Sequence, residues 1–416
     1  MGGDMRGVVE DVRRWVDDRR GELVNELARW VARPSVSATG EGMADAVDHG
    51  AALLRASGLA TTVIATGGWP LLTGTAGDGA PHVLVYGHYD VQPPGPPDHW
   101  TSPPFDPQIR GGRLYGRGAA DNKGQHLAHL LALRALRDLG VDLPGRVTVL
   151  LDGEEEIGSP NLAPLLRTWF TADHPDLVLW SAGPVHESGA PTVALGVRGL
   201  LTFELRAHGP TTPLHSGDWG DTTPNPAWRL IDLLTTMRAP DGTILVEGLP
   251  TAPETLNPPP DRPTITINSL TCEDADEHRT VVPSVAVARC DVRLAGDQRP
   301  ADVTEALRAH VGKYAPDVDF VPKAAMPPSR TLRESAYMER VMRGVEMGSG
   351  REPLLIPTLG GSLPIGTFTE QLGVPCYGIP LANVDEANHA PNENLEVDRF
   401  LMGITTAASL HLSLRT

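Results

Sequence analysis

At 416 residues the chain is longer than one ordinary hydrophobic core organises, so two domains are expected. Apolar residues at 40% and charged residues at 21% are globular proportions, and apolar runs recur along the whole length, which excludes a disordered chain. The formal charge of -17, from 35 basic and 52 acidic residues, excludes a nucleic-acid partner, because phosphate backbones require a basic face.

The opening residues 5–31 carry apolar side chains at helical spacing (Val8, Val12, Trp15, Val16, Leu23, Leu27, Val31) and predict a helix. The start of the chain is charged throughout and lacks the apolar core of a signal peptide. No apolar stretch reaches the roughly 20 residues that span a bilayer. A cytoplasmic protein without a membrane partner is therefore expected. Cys272, Cys290 and Cys376 lie far apart and form neither a disulfide framework nor a paired metal knuckle.

A second helix is predicted over 44–56, followed by short strand-like runs, ATTVIAT, PLLTGTAG and HVLVYGHYD. The run from His82 to Tyr86 is almost wholly apolar, as in a strand buried on both faces. Helix and strand signals then alternate: helix 125–139, strand RVTVLLDG, helix 162–170, strand DLVLWS. This rhythm predicts an α/β domain with a mostly parallel sheet and helices on both faces, whose ligands gather at the carboxyl ends of strands. From Val197 the pattern changes to the alternating strands TFELRAHGP, TITINSL and SVAVARCDVRL, with helices in PNPAWRLIDLLTTMRA and ADVTEALRAHV. That predicts an inserted α+β domain with an antiparallel sheet over 198–325. Residues 1–197 and 326–416, with a helix over 333–346 and a short strand VPCYGIP, form the discontinuous first domain. A Pro-rich loop is expected around 257–263.

Five polar clusters sit beside strand ends or Gly-rich turns: His88 and Asp90 in GHYDVQP, Asp121 in GRGAADNKG, Glu154 to Glu156 in LDGEEEIGS, His215 in PLHSGDWGD, and His389 in NHAPNEN. Singly, each has a plain structural reading: a turn histidine, a helix cap or a solvated acidic face. Together they supply the imidazoles and carboxylates of a catalytic zinc site. His88 and Asp90, two apart on an extended segment, suit a ligand and the carboxylate that orients it. Of the neighbours Glu155 and Glu156, one can bind metal while the other accepts a proton from water.

The motifs GHYDVQPP, LYGRGAADNKG, EEEIGS, LHSGDWG, TVVP, GGSLPI and HAPNEN occur in the order seen in the dinuclear zinc metallopeptidases. The chain resembles that superfamily, which includes carnosine dipeptidase, succinyl-diaminopimelate desuccinylase and aminoacylase, and most resembles the carnosine-dipeptidase branch. The resemblance implies metal-dependent hydrolysis of an amide bond in a dipeptide or N-acyl amino acid. It implies His88, Asp121, Glu156 and His389 as ligands, Asp121 bridging two ions, with Asp90 orienting His88 and Glu155 as general base. It further implies that His215 reaches the active site of a partner subunit, in a homodimer formed through an inserted lid and dimerisation domain. Thr280, Arg293, Gly361 and Ser362 match substrate-contacting positions, Arg293 suiting a terminal carboxylate. Zinc, as one or two ions, is the implied cofactor, with manganese or cobalt as alternatives.

One implied ligand is absent. Ala182, in LWSAGPV, stands where relatives carry an Asp that completes the His88 site. Either the site is mononuclear or weak in its second metal, or His186 or Glu187 substitutes. The remaining alternative is a repurposed scaffold, which forms or transfers an acyl group or binds without catalysis.

Overall fold

The computed structural model of the protein describes residues 5–170, 174–249, 262–272 and 279–415. They fall into two units: the first comprises Met1–Gly196, Arg330–Pro357 and Thr367–Thr416, the second Val197–Ser329 and Thr358–Gly366. Most of the expected Pro-rich loop, up to residue 261, lies outside the described residues.

The expected first helix is two, α1 (Met5–Asp18) and α2 (Arg20–Val31), broken at Arg19. Both bury the predicted apolar stripe. Helix α3 (Met43–Ala56) leads into strands β1 (Ala60–Ile64), β2 (Leu71–Ala76) and β3 (His82–His88). Then come α4 (Gly124–Asp138), β4 (Arg146–Asp152), α5 (Leu162–Trp169), β5 (Leu177–Trp180) and the short β6 (Thr192–Ala194).

The second unit is built on β7 (Gly199–His208), α6 (Pro226–Met237), β8 (Thr264–Cys272), β9 (Val285–Leu294), α7 (Pro300–Tyr314) and β10 (Asp319–Met326). Its four strands form an antiparallel sheet in the order β8-β9-β7-β10. Inward residues Leu201, Phe203, Leu205, Ala288, Cys290 and Val292 share one core with Leu230 and Leu233 of α6 and Leu307 and Val311 of α7. Alternation along each strand thus gives the sheet one helix-covered face. The Thr358–Gly366 stretch, expected with the first domain, groups with this unit. Val197 forms a parallel bridge to Leu359, and the Arg198 amide donates to the Gly361 carbonyl at 3.1 Å.

The first unit resumes with α8 (Met338–Ser349), β11 (Leu354–Ile356), α9 (Ile365–Leu372), β12 (Cys376–Gly378) and α10 (Val397–Ser413). Helix α8 starts later than the sequence predicts, because Ser335 is held in a turn by a 2.6 Å hydrogen bond to the Tyr377 hydroxyl. The eight-stranded sheet runs β1-β2-β4-β3-β5-β12-β6-β11. Its middle, β4-β3-β5-β12, is parallel; β1 and β2 add antiparallel at one edge, and β6 joins β12 antiparallel through a single pair before β11 pairs with β6 in parallel. Helices cover both faces. Neighbouring residues of β3 point opposite ways: Tyr86 meets Phe368 of α9 with ring centroids 5.0 Å apart, whereas a side chain at Gly87 would run into His126 of α4.

Gly378 of β12 faces the Trp180 indole so closely that a Cβ there would collide with the ring. Gly378→Ala is expected to cost about 1–3 kcal/mol by overpacking. Urea denaturation at unchanged secondary structure checks this, and a midpoint equal to the parent's would refute the collision.

Candidate metal centre

Four parallel strands end side by side, and the candidate residues follow them. His88 closes β3, Glu155 and Glu156 open the turn after β4, Ala182 follows β5, and His389 lies in the loop after β12. Asp121 comes from the turn that leads into α4. The donor atoms of His88, Asp121 and Glu156 lie within 4.8 Å of one another, the one such group among the described residues. Asp121 spans the cluster: one oxygen is 3.1 Å from His88 Nε2, the other 3.2 Å from His389 Nε2. His389 Nε2 is also 3.2 Å from Glu156 Oε2. Glu155 Oε2 stands 4.0 Å from His88 Nε2, taking part in neither pair.

Supporting contacts hold each of these groups. Asp90, fully buried, has one oxygen 3.4 Å from His88 Nδ1 and accepts the Glu155 and Glu156 amides at 3.2 and 3.0 Å. Asp90 therefore fixes the imidazole, its backbone carbonyl lying 3.1 Å from Nδ1 beside the carboxylate, and its carboxylate holds the turn carrying both glutamates. Gln92 donates to Glu156 Oε2 at 2.9 Å. Glu393, fully buried, accepts the amides of Gly118, Ala120 and Asp121 and the Arg117 guanidinium, all at 2.7–3.0 Å. It is the clamp that shapes the Asp121 turn. Sequence reading missed Gln92 and Glu393 as functional residues, although both lie inside quoted motifs. The Gly-rich turn shows only that its amides need an acceptor, and nothing in the sequence says that a residue 272 positions away supplies it.

The electrostatics are those of a cation site. Burial raises the Glu155 carboxyl well above its usual range, and Glu156, Asp121 and Asp90 add to the effect while His88 opposes it. Burial would lower His88, but Glu155, Asp121 and Asp90 outweigh it and push the imidazole up. His389, likewise opposed by burial, is raised to about 10 by its bonds to Asp121 and Glu156. The two imidazoles thus supply the positive charge that balances the carboxylates, through the nitrogens a divalent ion would use. Mixed imidazole and carboxylate donors converging in a cleft that is buried at His88 and open at His389 fit zinc or a similar ion. Glu386, in the His389 loop, is another residue the sequence reading missed. It is 2% exposed, both its oxygens lack a partner among the described residues, and burial with the charges of Asp121 and Glu393 raises it to about 9.

Ala182 is buried and offers no donor. Neither suggested substitute joins the converging group: His186 Nδ1 is engaged by Ser188 Oγ at 3.0 Å, and Glu187 is exposed. In the second unit the remaining sequence-derived residues form two groups. His215 lies on a two-stranded ribbon, paired with Val281, and Thr280 precedes the partner strand; the Thr280 carbonyl accepts the Ser216 amide at 2.9 Å and both side chains are exposed. Arg293 donates to Ser362 Oγ at 2.8 Å, Ser362 donates to the Gly199 carbonyl, and Gly361 is bound through its carbonyl to Arg198.

No helix among the described residues is long and apolar enough to cross a membrane. Residues 84–413 match the family described as Peptidase family M20/M25/M40. The chain is 27% identical over 371 residues to the Cys-Gly metallodipeptidase dug1 of Schizosaccharomyces pombe, covering 77% of each chain. It is 29% identical over 361 residues to a cysteinylglycine-S-conjugate dipeptidase of Corynebacterium striatum, covering 76% of this chain and 77% of that one. The fold matches an M20 family metallo-carboxypeptidase from Sulfolobus solfataricus with a TM-score of 0.87 and 28% identity, over 95% of this chain and 100% of the other. With the family match extending over most of its length, the chain belongs to peptidase family M20/M25/M40 and is a metallopeptidase of the dipeptidase-like branch.

Proposed function

We propose that this protein hydrolyses the amide bond of dipeptides or N-acyl amino acids, with zinc held by His88, Asp121, Glu156 and His389. The observation that carries this reading is Asp121 set between His88 and His389, with Glu156 closing on His389 and Glu155 left beside the cluster. A bound divalent ion supplies Lewis acidity toward the scissile carbonyl and acidifies water. Glu155 takes the proton from the attacking water and returns it to the leaving amine. Asp90 holds His88 in one orientation and keeps the Glu155–Glu156 turn in place through its two amide bonds. His215 donates to the developing oxyanion across a homodimer interface. Arg293 pairs with the substrate's terminal carboxylate, with Thr280, Gly361 and Ser362 beside it. A cytoplasmic setting accords with the three cysteines all being free.

Chelator-dialysed protein is expected to hydrolyse none of a panel of dipeptides and N-acetyl amino acids, and added zinc, manganese or cobalt to restore turnover. Hydrolysis that survives chelation, or no hydrolysis with any of the three metals, would overturn the assignment.

A further inference from the structure

Arg293 stands one residue from the end of β9, beside the inward-facing Val292, and so lies on the helix-free face of the second unit's sheet. Thr264 of β8 is directly opposite it and shares that face. Arg293 Nη1 donates to Ser362 Oγ at 2.8 Å, and its Nε lies 3.5 Å from Asp291 Oδ1. Asp291 also accepts a hydrogen bond from Asn268 at 2.9 Å. Arg293 and Asp291 are thus an ion pair with no net charge to attract an anion. Carboxylate recognition by Arg293 needs a further positive charge.

A second arginine borders the same group. Arg198, immediately before β7, donates through Nη2 to Thr264 Oγ1 at 3.0 Å and to the Arg262 carbonyl at 2.9 Å. Its backbone amide donates to the carbonyls of Leu359 and Gly361 at 3.3 and 3.1 Å, next to Ser362. Both flanks of Arg293, the Thr264 hydroxyl and the 359–362 segment, are therefore bound to Arg198. The residue is 8% exposed, and its Nε has no partner among the described residues. Burial and the Arg293 charge both hold this guanidinium below its usual value, and Asp291 opposes them. Two guanidiniums against one carboxylate leave a single positive charge at this end of the sheet. A buried charge without full compensation is costly and calls for an anion.

We propose that Arg198 sets the substrate class: its fixed charge turns the neutral Arg293–Asp291 pair into a site for one carboxylate, so substrates ending in a free carboxylate are preferred over their C-terminal amides. Arg198 acts through Arg293 and is a positioning residue, while Arg293 makes the contact. The inference rests on the amide-hydrolase reading and narrows its substrates.

The test uses the zinc-loaded full-length protein and a panel of dipeptides and N-acetyl amino acids, each beside its C-terminal amide. Arg198→Gln is expected to raise KM for the acids by about 10- to 100-fold, with kcat and the amides' KM changed less than about threefold. Arg198→Met, neutral and apolar, makes the same comparison should the glutamine variant not fold. Arg198→Lys keeps the charge and is expected to hold the acids' KM within about threefold of wild type. Calorimetric binding of N-acetylglycine, which needs no turnover, is expected to weaken in the neutral variants as KM rises.

An unchanged KM for the acids in the neutral variants would overturn the proposal. An equal rise for acids and amides would make Arg198 a brace for the 359–362 segment and overturn it too, as would a lysine variant as impaired as the neutral ones. Wild type that hydrolyses nothing in the panel would defeat the hydrolase reading, a separate outcome, and N-acetylglycine binding then decides the role of Arg198. Weaker binding in the neutral variant sustains the role; equal binding, or none in wild type, overturns it.

Discussion

Glu155→Gln is expected to lower kcat by about 100- to 10,000-fold while leaving zinc content unchanged. Glu155 is 7% exposed and reaches toward His88 without entering either of the histidine–carboxylate pairs that bracket Asp121. Burial raises its carboxyl, which makes it a stronger proton acceptor than a solvated glutamate. The amide has the same shape and cannot take a proton from water. Ligation is assigned to Asp121 and Glu156, so metal content separates this loss from collapse of the site. Turnover retained in a zinc-replete variant would remove Glu155 from the mechanism. Lost zinc with lost turnover would make it a ligand.

Glu393→Ala is expected to be the most damaging single change to stability outside the apolar core, at about 3–5 kcal/mol. The side chains of Arg117 and Glu393 are 1% and 0% exposed, and among the described residues the guanidinium's Nε and second terminal nitrogen have no hydrogen-bond partner. Truncation leaves that charge uncompensated and strands the amides of Gly118, Ala120 and Asp121 in the interior. A chemical-denaturation midpoint within about 1 kcal/mol of wild type would contradict the clamp. Because the Asp121 amide is among those released, zinc affinity is expected to fall alongside stability.

Much of this arrangement is legible in the sequence, for a definite physical reason. HVLVYGHYD and RVTVLLDGEEE each run apolar to the last residue and then turn abruptly charged. Short, Val-rich runs of this kind suit a strand buried on both faces and ending at a polar cleft, so His88 and Glu155 are placed at strand ends. Other features leave no local trace. Arg19 gives no helix-stop signal, yet the helix divides there. Strand β10 contains Pro322, which reads against a strand; it is tolerated because β10 is an edge strand with a register shift between Pro322 and Ala325. Glu386 and Glu393 look like two acids in a polar loop. Nothing nearby in sequence distinguishes an exposed acid from one enclosed by a segment far away in the chain.

That separation bears on how the protein is made. The bond from the Asp121 amide to Glu393 joins residues 272 positions apart, and His389 meets Asp121 across a similar span. Between them the chain passes through the whole of the second unit. A ribosome therefore releases β3, α4 and β4 long before the loop that organises the Asp121 turn exists. Contacts so distant form slowly, and the outer edge of β5 stays unpaired until β12 arrives. During that interval the growing chain carries half of an acidic cation site. Metal loading therefore belongs to the last moments of synthesis or after it, and a chain cut short before residue 383 has no route to a complete centre.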